Sequence, residues 1–502
     1  MNVSRSEWRW VISASLLVVA LSCVPFVYAY LAAPSDHTFI GFIVNAQDGN
    51  SYLAKMRQGY DGAWLYHLAF TPEDGRGIFT FTFYLLLGHV SRLTNISLVF
   101  LFHLVRTING IYLLITIYFF SSLLTSNITA RRASFIIAAF SSGLALVSLL
   151  AGRNDAKIFI PLDLFVPEAY GFYSILSNPH FPLVFALMAW AIILTLAPPQ
   201  LNFWIQLIVI AVIGFSITSL APYLAPVVAV AVVAGAILVR PFSRDLLIRV
   251  FTLFAAMGAL LGNYFFALQS DPIIAEWSRQ NITLTPPLVD VLLGLGIWLP
   301  LAIVGITCVQ RTRLVWSLIV WLIVIAALIY FPYPLQRRFI GGVFVPLSIF
   351  SGIGVAWIMK QIESIRVARI AFIIGVAVFG FSTNILLLLS LFRAPSTPDL
   401  YLKNDEVKAL AWLSTQVKPT DVVLADSRMG GIIPGWTGAR VIYGHPMESF
   451  DALNRKAEVE SFFVKGDLTI ADRYRVKYIF GGIAPQGWQT VFVSGDVKIY
   501  AR

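Results

Sequence analysis

Charge is what this chain of 502 residues has least of. Asp, Glu, Lys and Arg make up 12% of it, while apolar residues make up 58% and the mean hydropathy is +0.78. A soluble chain carries about 25% charged residues. So few charges cannot cover a water-facing globule, which excludes a soluble enzyme, a disordered chain and a fibrous protein. A polytopic helical membrane protein remains. Cysteine is nearly absent too: Cys23 and Cys308 both sit in apolar runs and offer no disulfide framework, redox motif or thiolate metal spacing. No Walker loop, HExxH or CxxC occurs. The net charge of +10 would point a soluble chain toward nucleic acid. Here it reads as basic residues flanking membrane helices, and no nucleic-acid partner is expected.

The charges that do occur are unevenly spread. Residues 399–502 hold 25 of them, and the 398 residues before hold only 37. The chain therefore reads as a membrane domain, 1–398, followed by a domain of ordinary polarity, 399–502. Eleven apolar segments are long enough to span a bilayer: 10–32, 95–122, 133–151, 181–198, 203–219, 222–239, 250–268, 288–309, 314–331, 339–358 and 370–392. The first follows Arg5 and Arg9 but is too long for a cleaved signal, so it reads as an uncleaved helix. With the N-terminus inside, the inner segments carry twelve bases against three acids, Glu7, Asp245 and Glu363. That bias predicts a cytoplasmic N-terminus and an extracytoplasmic tail domain; a bacterial plasma (inner) membrane is the expected location. Alternating strand-like and helical stretches in the tail, such as Val422-Val-Leu-Ala425 and Val476-Lys-Tyr-Ile-Phe480, predict a small α/β domain. The first outer loop, 33–94, is long, with helical stretches at 50–60 and 76–93, and loops of that length tend to be functional.

Several residues could carry chemistry. Asp48 follows the first span and precedes a helix. It reads either as a helix N-cap or as a general base or metal ligand at the membrane surface, where low dielectric raises a carboxyl pKa. The loop 152–180 sets Asp155, Asp163 and Glu168 among aromatics and prolines, and then reaches His180. That pattern suits sugar stacking and suits the membrane interface equally. Glu168 and His180 flank proline-fixed turns and are the preferred members, with Asp155 and Asp163 as acceptor or metal candidates. Arg337 and Arg338 stand together on the outer side, against the charge bias. Paired guanidiniums suit a phosphate, and equally an anionic headgroup. Arg106 and His103 lie inside the second span, where an arginine is costly. In the tail, Gly430-Gly431 reads as a turn. His445 and Glu448 could be a ligand pair but are too few for a metal site.

Taken together, Asp48 in the first outer loop, the acidic outer loop after the third span and the closing extracytoplasmic domain resemble the polytopic glycosyltransferases of the GT-C class, among them protein O-mannosyltransferases and the aminoarabinose transferases. The resemblance implies an isoprenoid-phosphate sugar donor, a catalytic first-loop Asp and a lipid phosphate held by basic residues. Asp48, and Arg337 with Arg338, are the positions that match. Gly49 follows Asp48 where the class often has an Asp-Glu pair, and the His-Pro-Pro motif of the mannosyltransferases is absent. The resulting expectation is inverting sugar transfer to an acceptor whose identity is open, with membrane lipid around it. No cofactor is required for a monophosphate donor, and a divalent cation fits if the donor is a diphosphate. A transporter or flippase and a non-catalytic membrane scaffold are the competing functions.

Overall fold

In a computed structural model the chain is mostly helical and divides into two compact units. The described residues are 3–153, 161–482 and 486–502. One unit comprises Met1–Val24, Leu104–Leu261 and Thr283–Ser390; the other comprises Pro25–His103, Gly262–Ile282 and Leu391–Arg502.

The first unit is a bundle of apolar helices. Across the described residues six helices are long and apolar enough to cross a membrane, from Arg5–Leu31 to Arg366–Leu391, and a seventh is gained if a bent pair counts as one span. The chain is thus a multi-pass membrane protein, though length and composition support fewer spans than the eleven read from the sequence. Three expected spans, His180–Leu196, Pro222–Ile237 and Arg313–Leu328, are shorter apolar helices. The expected span 133–151 is split into Ile128–Phe140 and Ala145–Leu150. At the break, the Ser142 and Leu144 amides donate to the Gly380 and Leu293 carbonyls instead of continuing the helix. The expected span 288–309 bends by 67° between Leu288–Leu295 and Trp298–Thr307, where Gly296 has φ 54°.

Hydroxyls tie the bundle together. Ser134 donates to the Ile349 carbonyl (3.1 Å) and Ser351 to the Trp298 carbonyl (2.8 Å). Small polar side chains of this kind let membrane helices approach closely. Glu7 is buried with Arg131 (2.9 Å) and Tyr118 (2.8 Å). Arg106 is buried as well, and donates to the carbonyls of Ile175 (2.6 Å) and Leu176 (3.4 Å). These carbonyls lie in the last turn of the short helix Gly171–Ser177, where the helix supplies no donor of its own.

The second unit joins the first outer loop to the tail. Strand β1 (His37–Phe39) pairs antiparallel with β2 (Tyr401–Lys403). The tail holds a five-stranded sheet of β3 (Val422–Leu424), β4 (Arg440–Val441), β5 (Tyr478–Phe480), β6 (Gln489–Ser494) and β7 (Val497–Ala501), in the order β4-β3-β5-β7-β6. β3 runs parallel to β4 and β5, and β7 antiparallel to β5 and β6. Val423, Tyr478 and Ile499 face helices Asn404–Gln416 and Ser427–Thr437, while Val422, Leu424, Ile479 and Tyr500 share a core with Val459 and Phe462 of helix Ala452–Lys465. Both faces are covered, which explains why β3 is apolar at every position. Ile40, Ala54 and Phe70 of the first loop enter the same core as Val423 and Ile433. The charges follow suit. Glu73 pairs with Arg455 and Asp74 with Arg440, so part of the acid excess of the first loop answers bases of the tail.

Candidate active site

The first-loop helix Ala46–Tyr60 begins after Asn45, whose φ of 47° is left-handed and whose side chain makes no cap bond to the helix. Asp48 therefore sits in the first turn rather than at the N-cap, where its negative charge favours the helix dipole. The Asn45 amide donates to Asp48 Oδ2. His445 Nε2 lies 2.9 Å from Asp48 Oδ1. The His445 side chain is 5% exposed and that of Asp48 36%, so a buried imidazole holds a partly exposed carboxylate.

Two turns along the same helix, Lys55 is fully buried. Its ammonium lies 2.6 and 2.9 Å from the two carboxylate oxygens of Glu448 and 3.2 Å from Ser51 Oγ. Tyr66 donates to Glu448 at 3.0 Å. Rings of Tyr52, Tyr66 and Phe81 surround the ammonium at 5.2, 5.3 and 4.4 Å. Burial pushes the Glu448 carboxyl up, but the Lys55 charge and the hydrogen bonds from Lys55 and Tyr66 carry it below its ordinary value. Tyr66 is driven well above the ordinary phenol value, by burial first and the Glu448 charge second.

His445 and Glu448 reach this helix because the chain leaves β4 and turns. The turn rests on a close backbone approach: a side chain on Gly430 would put its Cβ 2.1 Å from the Tyr443 carbonyl oxygen, and one on Gly444 would meet the Gly430 carbonyl oxygen at 2.3 Å. Gly430 and Gly431 thus lie within helix Ser427–Thr437, not in the turn expected from the sequence.

Glu168, His180, Asp163, Arg337 and Arg338 belong to the first unit. Glu168 is buried in the turn Pro167–Ala169, and its carbonyl accepts from the Gly342 amide at 2.9 Å. The Tyr173 phenol is pushed up to about 12, by burial and then by the Glu168 charge. Arg338 hydrogen-bonds Tyr223, with its guanidinium 5.9 Å from the ring centroid, and Tyr223 also feels the Glu168 charge. Arg337 donates its amide to the Thr283 carbonyl at 3.1 Å. Its Nε and the Thr283 Oγ1 are buried polar atoms without a hydrogen-bond partner among the described residues. Buried donors are rarely left unmatched, so this spot has capacity for an oxygen-rich group.

His180 is buried at the start of helix His180–Leu196 with its ring 4.2 Å from that of Phe181. His103 Nε2 bonds the Gly41 carbonyl at 2.7 Å. Asp163 is buried and accepts from the Ala145 amide at 3.2 Å, at the start of a short helix. Burial raises its carboxyl to about 6, against hydrogen bonds from Thr383 and backbone amides. Asp155 lies outside the described residues. Among the described residues no three His, Cys, Asp or Glu side chains cluster as a metal site.

Sequence reasoning missed Lys55 and Tyr66. A charged residue at position i+7 from Asp48, with Ser51 at i+3, was the only signal: the three lie on one helical face.

No protein-family model matches the chain, and no curated protein matches it in sequence. Solved structures do match. The archaeal oligosaccharyltransferase AglB from Archaeoglobus fulgidus, in complex with an inhibitory peptide and a dolichol-phosphate, aligns with a TM-score of 0.51 and 13% identity, over 95% of this chain and 70% of AglB. Apo ArnT, an aminoarabinose transferase from Cupriavidus metallidurans, aligns at 0.50 and 10% identity, over 97% of this chain and 98% of ArnT. The mycobacterial arabinofuranosyltransferase AftD aligns at 0.52 and 11% identity, over all of this chain and 40% of AftD. At such identities the likeness is one of fold, and the fold is that of the GT-C membrane glycosyltransferases.

Proposed function

We propose that the protein transfers a sugar, with inversion, from an isoprenoid-phosphate donor to an extracytoplasmic acceptor. The observation that carries this reading is Asp48: a half-exposed carboxylate gripped on both oxygens, in a chain with the GT-C fold. The lipid carrier is supported by the dolichol-phosphate bound to AglB. The acceptor hydroxyl gives its proton to Asp48 as its oxygen attacks the anomeric carbon. The bond from that carbon to the phosphate oxygen breaks, and the lipid phosphate leaves with the electron pair. Arg337 and Arg338 are assigned to the donor phosphate, where they would neutralise the charge that grows as the bond breaks. The unmatched Arg337 Nε and Thr283 hydroxyl support that assignment. Glu168 and His180 are assigned to positioning the acceptor or assisting proton transfer. The reaction is assigned to the outer side of a bacterial plasma membrane, with the N-terminus in the cytoplasm and residues 399–502 outside.

The test is Asp48→Asn, assayed by release of polyprenyl phosphate from a panel of undecaprenyl-phosphate-linked hexoses and pentoses. Asn still accepts from His445, and the Asn45 amide can rotate to meet the new amide, so the fold is kept. Removing a general base costs about 10²–10⁴-fold in rate. Full activity in the variant refutes the assignment of Asp48.

A further inference from the structure

Asp48 is gripped by a side chain 397 residues further along the chain, and the wiring of that side chain is fixed by its own turn. The Met447 amide lies 3.1 Å from His445 Nδ1 and donates to it. A ring nitrogen that accepts a hydrogen bond presents its lone pair and carries no proton. The one proton of the neutral imidazole is then on Nε2, 2.9 Å from Asp48 Oδ1. So wired, the ring has no lone pair to offer a metal. Its contact with Asp48 is a charge-assisted N–H···O⁻ bond.

The turn that presents His445 is rigid. The amides of Gly444 and His445 both donate to Ser449 Oγ at 3.2 Å, and the Ser449 amide returns to the His445 carbonyl at 2.9 Å. Three residues after His445, Glu448 is clamped by Lys55, Ser51 and Tyr66. Asp48, Ser51 and Lys55 share one face of the first-loop helix, so the helix and the turn meet at two points. The ion pair fixes the distance between them, and the imidazole fixes the carboxylate.

We propose that His445 is a positioning residue: in its Nε2-protonated form it orients the Asp48 carboxylate for taking the acceptor proton. The proposal rests on the reading of Asp48 as the base. Two measurements on the full chain in lipid nanodiscs test it. In the protein labelled with ¹⁵N-histidine, the His445 signals are identified by their loss in His445→Gln. The expected ring is neutral, with Nε2 protonated and Nδ1 bare, and its Nε2 signal moves in Asp48→Asn. A ring protonated on Nδ1, or an Nε2 signal that Asp48→Asn leaves unmoved, overturns the proposal.

The second measurement is kinetic, with the same panel of undecaprenyl-phosphate-linked sugars. His445→Ala is expected to lower kcat by about 10–100-fold at unchanged donor KM, a loss on the scale of one charge-assisted hydrogen bond. His445→Gln, whose amide can donate to the same oxygen, recovers part of the loss. Losing a donor makes the carboxylate easier to protonate, so the acid limb of the His445→Ala rate profile moves up by about one pH unit. A fall in kcat with an unmoved acid limb marks a merely structural role and overturns the proposal. Full turnover in Asp48→Asn defeats the base assignment itself. An inactive Asp48→Asn beside a wild-type His445→Ala defeats only the part given to His445.

Discussion

Lys55→Met is the sharpest perturbation of the helix-to-turn junction. Methionine nearly matches the lysine stem in volume and keeps the contacts to Tyr52, Tyr66 and Phe81, so the change removes the charge and little else. What it leaves is Glu448, buried, with Tyr66 and Ser51 as its remaining donors. Breaking a buried ion pair by removing one partner costs about 3–5 kcal/mol, because the other charge stays behind unmatched. At 1.36 kcal/mol per decade, the opening of the turn becomes about two to four decades more frequent. Hydrogen exchange reads this directly at the Met447 and Ser449 amides, both bonded within the turn. A global melting point is the poorer assay for a chain of two compact units, where a single unfolding free energy is not defined. The pH dependence has a definite sign. In the native protein the Glu448 carboxyl is held below its ordinary value, so the contribution of the pair is present at neutral pH and is lost as pH falls through that lowered value. Without Lys55, burial dominates and Glu448 takes up a proton readily, so the deficit of the variant narrows in acid. In Lys55→Met/Glu448→Leu most of the loss is recovered, short of what Tyr66 forfeits as an orphaned donor. Unchanged protection of the turn in Lys55→Met, or a double variant no better than the single one, refutes the reasoning.

Further expectations concern the other groups. Arg337→Gln with Arg338→Gln lowers affinity for undecaprenyl phosphate, by about 1.5–3 kcal/mol per charged hydrogen bond lost, while folded protein persists in the membrane; unchanged affinity assigns the pair to lipid headgroups. Asp163→Asn stabilises the protein at pH 8 by an amount on the order of 3 kcal/mol. The sign follows from a carboxyl raised from 3.8 to about 6: the neutral form suits the fold, the penalty grows between those two values, and the benefit of the variant vanishes below them. Hydrogen-exchange protection of the Ala145 amide, which bonds residue 163, that changes equally at pH 3.5 and pH 8 contradicts this. A cysteine at Ser427, after removal of Cys23 and Cys308, labels with an impermeant thiol reagent in intact spheroplasts; labelling only after lysis reverses the orientation.

What the sequence could announce was whatever depends on local composition or short spacing. Scarce charge marks a membrane protein without any alignment, and the runs Val422–Leu424 and Tyr478–Phe480 mark strands buried on both faces. Asp48 was legible because an acid just beyond a span and ahead of a helix stands out. Its partner was not, because His445 is 397 residues away and no period of helix or strand connects them. Lys55 escaped for a related reason: a lysine in a mixed helix reads as a solvated face until a carboxylate from the tail covers it. Gly430-Gly431 misled in the opposite direction. Glycine pairs favour turns when only local conformation counts, yet here tertiary contact decides, since the helix backbone must lie against Tyr443 and Gly444. The breaks at 141–144 and at Gly296 were hidden because serine, glycine and leucine keep a segment apolar whether or not the helix runs on; at 141–144 the amides turn to acceptors on other helices, Gly380 for Ser142 and Leu293 for Leu144, and at Gly296 the backbone takes φ 54°. The same logic bears on Arg337 and Arg338. Their adjacency was visible and their surroundings were not: the Arg338 guanidinium lies over the Tyr223 ring, and among the described residues Arg337 Nε and the Thr283 hydroxyl have no hydrogen-bond partner. Adjacency alone is as compatible with a headgroup as with a donor, whereas buried polar atoms without a partner among the described residues give this turn capacity for an oxygen-rich group.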